Sequence, residues 1–193
     1  MTKGHKTSVV QVHGATAYRI ERHIHLFAAW AASRAASVKG CRFKVEQGRA
    51  ILEAAGFKAD FPTPDQLPAS KGMNQEHRRW RASVINAAKS QGLTFTHGVA
   101  AKLINIYLKC RFICGGHHGH ERVHDLHPPI DDVLLRTLAD LDIGGYAKQW
   151  RKARQTRWSK LNSEQYEAVI ALIRESLKGE ALWKIEEYWA GNQ

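Results

Sequence analysis

Apolar side chains recur at helical spacing along this chain, and no other feature constrains its fold as strongly. In the run Ala15–Val38 the large apolar residues lie three or four positions apart: Ile20, Ile24, Phe27 and Trp30. Because an α-helix completes a turn in about 3.6 residues, this spacing places them on one face of a helix. The run is therefore predicted to form an amphipathic helix.

Glycine and proline divide the rest of the chain into further segments with the same period. The predicted helices are Ala15–Val38, Phe43–Ala55, Asn74–Ser90, Val99–Phe112, Ile130–Leu141, Tyr146–Arg154, Glu164–Leu177 and Glu180–Trp189. Three prolines mark residues 61–71 as a linker, and residues 114–126 are predicted to be a loop rich in glycine and histidine. The longest run with the alternation of a strand is Thr7–Val12. We therefore expect an all-α fold, as a single helical domain over residues 1–193.

The charge balance points to a polyanionic partner. The chain has 29 Lys and Arg against 18 Asp and Glu, a formal net charge of +11. Such an excess favours polyanions because each neutralised phosphate releases condensed counterions. Nucleic acid and an anionic membrane surface both fit, but the most apolar run, Leu26–Val38, contains Arg34. No uncharged stretch reaches the roughly 20 residues that span a bilayer, so we expect nucleic acid and no membrane.

Cysteine usage indicates a reducing compartment. Cys41, Cys110 and Cys114 cannot all pair within the chain, and the basic N-terminus lacks the apolar core of a signal peptide. We therefore expect a cytoplasmic protein. Cys110, Cys114 and two of the histidines between positions 117 and 127 are residue types that bind zinc. Their spacing matches no known zinc pattern, so we predict no metal and expect this segment to line a pocket or groove.

Lys102 and Asp131 are the candidate catalytic pair. Lys102 closes the turn Thr96–Lys102, which opens an apolar helical stretch, and Asp131 opens another such stretch after two prolines. An amine and a carboxylate at two neighbouring helix ends can meet at one sugar carbon. A lysine that burial keeps partly neutral can attack such a carbon, and a carboxylate stabilises the cation that develops there.

These two segments resemble the active site of the helix-hairpin-helix DNA glycosylases. In that family the hairpin has the sequence Leu-Pro-Gly-Val-Gly-Xaa-Lys, and the next helix begins Val-Asp-Thr-His-Val-Leu-Arg. This chain has Gly98-Val99-Ala100-Ala101-Lys102 and Ile130-Asp131-Asp132-Val133-Leu134-Leu135-Arg136. The resemblance covers residues 93–143. It implies a glycosylase-like fold with two helical lobes around a central active-site cleft, one lobe from residues 1–60 plus the C-terminal helices and the other from residues 72–160.

The resemblance also assigns roles to the residues of these segments. Lys102 falls at the nucleophile and Asp131 at the carboxylate of a glycosylase that flips a base out of double-stranded DNA and excises it. The hairpin is expected to hold a DNA phosphate through the backbone N–H groups of His97, Gly98, Val99 and Ala100, with Arg136 as the trailing arginine. We expect a nucleoid-associated monomer. The iron–sulfur cluster of some members needs four cysteines near the C-terminus, which this chain lacks, so no cofactor is expected.

The substrate and the mechanism each have two forms. Asp131 follows Lys102 by 29 residues, a spacing closest to that of the archaeal 8-oxoguanine glycosylases. The fold also serves bacterial defence, in which a glycosylase removes glucosylated hydroxymethylcytosine from phage DNA. Lys102 can form a Schiff base that leads to strand cleavage by β-elimination, which is AP lyase activity. In the other mechanism Asp131 activates water, and the product is an abasic site.

Basic residues surround tryptophans in two segments, which suits phosphate contacts and stacking on unpaired bases. The predicted DNA-binding residues there are Arg78, Arg79, Arg81, Lys148, Arg151, Lys152, Arg154 and Arg157. The predicted base pocket consists of Phe95, Trp150, Trp158, His118 and His120. The alternative for Trp150 and Trp158 is an inward position in a core beneath a solvated face. We predict a core position for Trp183 and Trp189, and we expect Glu186 to lie away from DNA.

Two other functions remain open from the sequence. A basic all-α protein that binds DNA without catalysis has the same composition, and it predicts salt-dependent binding without base release. An RNA-binding module is a third hypothesis, although the chain has no known RNA-binding motif.

Overall fold

The computed structural model describes residues 18–191, and this part of the chain is built from helices. Its α-helices are α1 (Ile20–Ala36), α2 (Val45–Ala54), α3 (Ser70–Ser90), α4 (His97–Leu108), α5 (Asp132–Asp140), α6 (Ala147–Arg154) and α7 (Ser163–Leu177). Short 3-10 helices cover Pro64–Gln66, Ile143–Gly145, Trp158–Lys160 and Leu182–Tyr188. Within residues 18–191 the β-pairing amounts to one isolated bridge between Val38 and Cys41, which confirms the all-α prediction for this part. The predicted helix start at Ala15 and the run Thr7–Val12 lie outside the described residues.

Two clusters of buried apolar side chains organise these helices. The first joins α1, α2, α3 and most of α4, and the second joins α5, α6, α7 and the 3-10 helix Leu182–Tyr188. Helix α4 contributes to both, since Ala100 belongs to the first cluster and Ala101 to the second. This division differs from the predicted lobes. The buried apolar residues of the C-terminal helices belong to one cluster with those of residues 130–161, whereas the described part of residues 1–60 contributes to the other cluster.

The proline-rich segment, residues 61–71, was predicted to be a linker. The structure instead places Phe61 and Leu67 in the first apolar cluster. Phe61 and Leu67 are buried. Arg111 donates hydrogen bonds to the carbonyl of Phe61 (2.9 Å), and Arg122 donates to the carbonyl of Leu67 (2.7 Å). Two arginines that follow α4 in sequence thus satisfy the carbonyl groups of this segment, which in a solvated linker would bind water.

Helix α4 lies at the centre of the molecule and continues beyond its predicted end. Its most extensive contact is with α1. Ala28, Ala29 and Ala32 of α1 are buried, and their small side chains let the two helices approach closely. After Leu108 the chain winds into a wider π-helical segment, Lys109–His117, where a loop was predicted from residue 114. Such widened turns often occur at functional sites. No helix within residues 18–191 combines the length and the apolar character needed to cross a bilayer.

Candidate active site

Lys102 lies in the second turn of α4 with its side chain almost removed from solvent. The residue is 7% exposed, and its Nζ donates a hydrogen bond to Oδ2 of Asp131 over 3.0 Å. Nζ also lies 5.4 Å from the centroid of the Trp158 ring. The structure therefore brings together the two residues that the sequence selected 29 positions apart.

Asp131 is held in place from three directions. As the N-cap of α5 it has extended backbone angles, and its Oδ1 accepts the backbone N–H of Leu134 over 2.9 Å. This is the usual way in which an aspartate satisfies the first free N–H groups of a helix. Its Oδ2 accepts from Lys102 and also from the indole Nε1 of Trp189 over 3.1 Å. The carboxylate is thus fixed in orientation as well as in position.

A cavity of about 290 Å³ opens beside this pair. Its walls combine the two charged residues with aromatic and aliphatic side chains from α1, α4 and the C-terminal segment: Ala35, Lys102, Ile106, Lys109, Pro129, Asp131, Trp158, Glu186 and Trp189. The indole ring of Trp158 lies beside Lys102 in this wall, and that of Trp189 lies beside Asp131. A pocket of this size and composition suits one flat group of the size of a nucleobase, because ligand pockets begin near ~300 Å³.

A second ion pair lines the same cavity. Lys109, at the start of the π-helical segment, contacts the carboxylate of Glu186 through its Nζ. Burial raises the pKa of the Glu186 carboxyl, and the positive charge of Lys109 opposes this rise. The cavity wall therefore carries a hydrogen-bond donor and an acceptor close to Lys102.

Burial also changes the amine that the sequence selected as nucleophile. Removal from water lowers the pKa of Lys102, and the charge and hydrogen bond of Asp131 oppose this decrease. Desolvation is the larger effect, because the buried ammonium ion loses more hydration free energy than it gains from one neighbouring carboxylate. A larger fraction of Lys102 is then neutral near pH 7, which is the form that attacks a carbon.

The hairpin residues do not have the exposure that phosphate binding needs, which corrects that prediction. Gly98, Val99 and Ala100 are buried, and their N–H groups bond to the protein itself. The Gly98 N–H donates to the carbonyl of Leu161 over 3.1 Å, and a Cβ at Gly98 would lie 1.9 Å from the carbonyl oxygen of Trp158. The segment 158–161 therefore covers the start of α4, because a glycine at position 98 leaves room for it.

Three further site predictions are corrected by burial. Arg81 is fully buried and donates to Glu167 and Ser163, so it cannot reach DNA. Trp150 is also fully buried, and its Nε1 donates to the carbonyl of Ile143 over 3.0 Å. This is the inward alternative described above.

Phe95 is 5% exposed and packs against Phe43 in the first apolar cluster, with ring centroids 5.0 Å apart and the ring planes tilted by 43°. Of the five residues predicted for the base pocket, Trp158 is the one that lines the cavity beside Lys102.

His118 and His120 lie elsewhere: the ring of His118 faces Trp183, and Nε2 of His120 lies 3.0 Å from Asp65. His120 and His118 were placed in the pocket because their loop lies between Lys102 and Asp131 in sequence, but the chain folds that loop away.

The remaining basic residues divide into paired and unpaired groups. Arg78 pairs with Glu167, Arg79 with Glu76, and both Arg136 and Arg154 with Asp132. Lys148, Arg151, Lys152 and Arg157 are exposed and have no ion-pair partner within residues 18–191. His97 is partly exposed at the start of α4. Within residues 18–191, therefore, no carboxylate competes with a polyanion for these four cations.

The histidine- and cysteine-rich segment forms no metal site in the part of the chain that the structure describes. No group of three or more His, Cys, Asp or Glu side chains within residues 18–191 is arranged to hold a metal ion. His127 is instead buried, with Nδ1 3.0 Å from the Tyr166 hydroxyl and Nε2 2.9 Å from Oδ1 of Asn74. Cys110 and Cys114 are free thiols.

Sequence reasoning gave no cavity role to six residues of the wall, and the three with polar groups are Lys109, Glu186 and Trp189. Trp189 was assigned to the core and Glu186 to a surface away from DNA, while Lys109 received no role. The apolar neighbours Leu182 and Ile185 favoured a core position for Trp189, but no signal in the sequence indicated that this residue contacts Asp131. Trp189 and its partner Asp131 are 58 positions apart in sequence, and Lys109 and its partner Glu186 are 77 positions apart.

Comparisons of this chain with protein-family models, with curated proteins and with solved structures gave no match.

Proposed function

We propose that this protein is a DNA glycosylase whose nucleophile is Lys102. The observation that carries the proposal is a lysine of lowered pKa, hydrogen-bonded to a fixed carboxylate, at the wall of a cavity of about 290 Å³. Exposed cations on α6 that have no ion-pair partner among residues 18–191 support a polyanionic substrate. The resemblance of residues 93–143 to the helix-hairpin-helix glycosylases supports the same function.

The chemistry follows from the positions of the two groups. A base turned out of the duplex enters the cavity, and the neutral amine of Lys102 attacks C1′ of its sugar. The C1′–N bond breaks, its electron pair leaves with the base, and Asp131 stabilises the positive charge that develops on the sugar. Asp131 also accepts a proton from the attacking amine, which the departing base then takes up. The nitrogen lone pair then forms the C=N bond of a Schiff base as the C1′–O4′ bond breaks and O4′ takes up a proton. In β-elimination a C2′ proton is lost to water, and the 3′ phosphate leaves with the electron pair of its C–O bond.

The cavity wall favours a nucleobase of ordinary size. Enzymes that extrude a base hold it by stacking and by hydrogen bonds to its edge. Trp158 and Trp189 provide rings, and Lys109 and Glu186 provide a donor and an acceptor. A base such as 8-oxoguanine fits this description, whereas glucosylated hydroxymethylcytosine would extend its sugar beyond the cavity.

Borohydride trapping tests the proposal directly. The protein is incubated with duplexes that contain 8-oxoguanine, glucosylated hydroxymethylcytosine or no modified base, and sodium borohydride reduces any Schiff base to a stable adduct. We expect an adduct with the 8-oxoguanine duplex, none with Lys102→Gln, and a loss of base release of about 100-fold or more with Asp131→Asn, the size expected when one preorganised charge is removed. Asp132→Asn is the matched control, because Asp132 is half exposed and does not line the cavity.

The competing function is binding of DNA without catalysis, which the exposed cations of α6 also support. It predicts that every duplex binds, that no base is released, and that Asp131→Asn leaves the affinity unchanged. If base release occurs without an adduct and survives Lys102→Gln, water is the nucleophile and the assignment of Lys102 is wrong.

A further inference from the structure

The Lys109–Glu186 ion pair lies between two cavities. Both residues line the cavity that holds Lys102, and both also line a second cavity of about 490 Å³. Within residues 18–191 they are the residues common to the two linings. The other residues that line the second cavity are Ile113, Trp183, Lys184 and Glu187. The ion pair therefore forms a wall that the two cavities share.

The helical segment that carries Lys109 passes both cavities. Ile106, three positions before Lys109, lines the Lys102 cavity, and Ile113, four positions after it, lines the second cavity. Positions three and four apart in a helix lie on neighbouring turns of one face. Lys109 thus lies where this face crosses from one cavity to the other, at the start of the π-helical segment.

The 3-10 helix Leu182–Tyr188 passes the two cavities in the same way. Trp183 lines the second cavity, Glu186 lines both, and Trp189, directly after the helix, lines the Lys102 cavity. A 3-10 helix has three residues per turn, so positions 183, 186 and 189 follow one another along one face. Two separate elements therefore place the members of the ion pair at the same boundary.

The boundary is closed by the contact between the two side chains. Nζ of Lys109 contacts the carboxylate of Glu186, and the side chains are 30% and 16% exposed, respectively. Separation of such a pair leaves two poorly hydrated charges without a partner, which is unfavourable. The closed pair confines an occupant of the Lys102 cavity to about 290 Å³.

We propose that the Lys109–Glu186 ion pair sets the largest base that the Lys102 cavity accepts. A base of ordinary size fills the cavity beside the pair. A large substituent on the base would have to occupy the second cavity, and the ion pair excludes it. This inference rests on the proposed function, since the occupant is a nucleobase, but its test does not need base release.

Isothermal titration calorimetry with two free bases tests the size limit. O6-methylguanine and O6-benzylguanine differ by one phenyl ring, and a free base, which no sugar holds, can turn its substituent toward the second cavity. We expect the parent to bind O6-methylguanine about tenfold more tightly or better, since a pocket rejects even one extra methylene by about that factor. In the double variant Lys109→Ala/Glu186→Ala the two cavities become one, so this preference should be lost.

Two further double variants serve as controls. Lys109→Glu/Glu186→Lys exchanges the charges and keeps an ion pair at the boundary, so it should keep the preference of the parent. Glu76→Ala/Arg79→Ala removes an ion pair of α3 that lines neither cavity, and it should also keep that preference. Circular dichroism melting shows whether each variant folds as the parent does. If Lys109→Ala/Glu186→Ala does not, Lys109→Ala carries the test, because it removes the longer side chain from the boundary.

The outcomes separate the size limit from the proposed function. Equal affinity of the parent for the two bases, the same preference in the parent and in Lys109→Ala/Glu186→Ala, or binding of neither base would overturn the size limit. If the preference is lost as expected but no duplex gives a borohydride adduct or base release, the size limit is supported and the proposed function fails. If 8-oxoguanine is released but the preference is unchanged in the variant, the proposed function is supported and the size limit is wrong.

Discussion

Two buried ion pairs in this protein have similar composition and different surroundings. Arg81 and Glu167 join α3 to α7, and Lys102 and Asp131 join α4 to the start of α5. The cation side chains are 1% and 8% exposed, respectively. The Lys102 pair faces a cavity, whereas Arg81 stacks on the Tyr166 ring at 4.5 Å. Burial of a charge is common to both pairs, and the open volume beside Lys102 is what distinguishes them.

The Arg81 region belongs to a closed network between the two apolar clusters. Asn105, one turn after Lys102 on α4, donates to the Tyr166 hydroxyl over 3.0 Å and lies 2.7 Å from Nε2 of His77. The Tyr166 hydroxyl also contacts His127, whose ring lies 4.2 Å from that of His77. Helix α4 thus directs one polar side chain into the cavity and another into the network. The network fixes the arrangement of helices that the cavity requires.

The largest effect on stability is expected from removal of the Arg81 charge. Arg81→Met should lower the free energy of unfolding by about 3 kcal/mol, the lower end for breaking a buried ion pair, because Arg78 still neutralises Glu167. Lys102→Met should change it by about 1 kcal/mol or less, since it removes a desolvated charge and Asp131 keeps two other donors.

Urea denaturation of the two variants measures this difference. Equal losses in the free energy of unfolding would show that both ion pairs stabilise the fold to the same extent. The proposed difference between the two pairs would then be wrong.

The closed network should make the fold sensitive to acid. Burial lowers the pKa of His77 from its ordinary 6.5 to about 3 and lowers that of His127 well below 6.5. The unfolded chain binds protons at these histidines as the pH falls below 6.5, while the folded chain does not. Their stabilising contribution is therefore complete above pH 6.5 and decreases toward pH 3, by up to about 1.4 kcal/mol per pH unit for each histidine.

Urea denaturation at intervals between pH 7 and pH 4.5 tests this dependence. His127→Gln should flatten the slope, whatever its effect on stability at pH 7. The control is His118→Gln, because His118 is exposed. The same slope in His127→Gln and the parent would show that the network does not cause the acid sensitivity.

The smallest expected effect is a shift in the pH dependence of adduct formation at the cavity. The rate should rise with pH through the pKa of Lys102, because the neutral amine attacks. The charge of Lys109 lowers that pKa and the charge of Glu186 raises it. Lys109→Met should therefore move the midpoint to higher pH, and Glu186→Gln should move it to lower pH.

The borohydride adduct rate across pH 6 to 10 measures both shifts, if the parent forms the adduct. Lys148→Met removes the same charge from the exposed face of α6 and should leave the midpoint unchanged. Shifts of the same sign in Lys109→Met and Glu186→Gln would contradict direct electrostatic control of Lys102.

Sequence patterns located helices well where the signals were local. The period of the chain predicted seven segments that correspond to the α-helices. The start of α7 is also set locally, since the side chain of its N-cap Asn162 accepts the N–H of Gln165 over 2.8 Å. The patterns failed where contacts are distant. Residues 61–71 contain three prolines, yet arginines from positions 111 and 122 hold their carbonyls in the fold.

The candidate site shows the same division. A motif in sequence selected Lys102 and Asp131, and the structure places them 3.0 Å apart. The same motif predicted hairpin N–H groups free to bind phosphate. The segment 158–161 covers them, because Gly98 lacks the Cβ that would exclude it.

The sequence by itself determined the helices, because propensity, capping and period depend on residues a few positions apart, and the resemblance of two segments to a known family selected Lys102 and Asp131. The period did not determine which face of α1 is buried: Ile20, Phe27 and Trp30 share a face by spacing, but that face is exposed.

Tertiary structure alone decided which charges face a cavity and which are enclosed. Trp189, Glu186 and Lys109 reach the cavity, and Arg81 and Trp150 do not. Open volume is set by how whole helices pack on one another, and no local pattern in the chain records it.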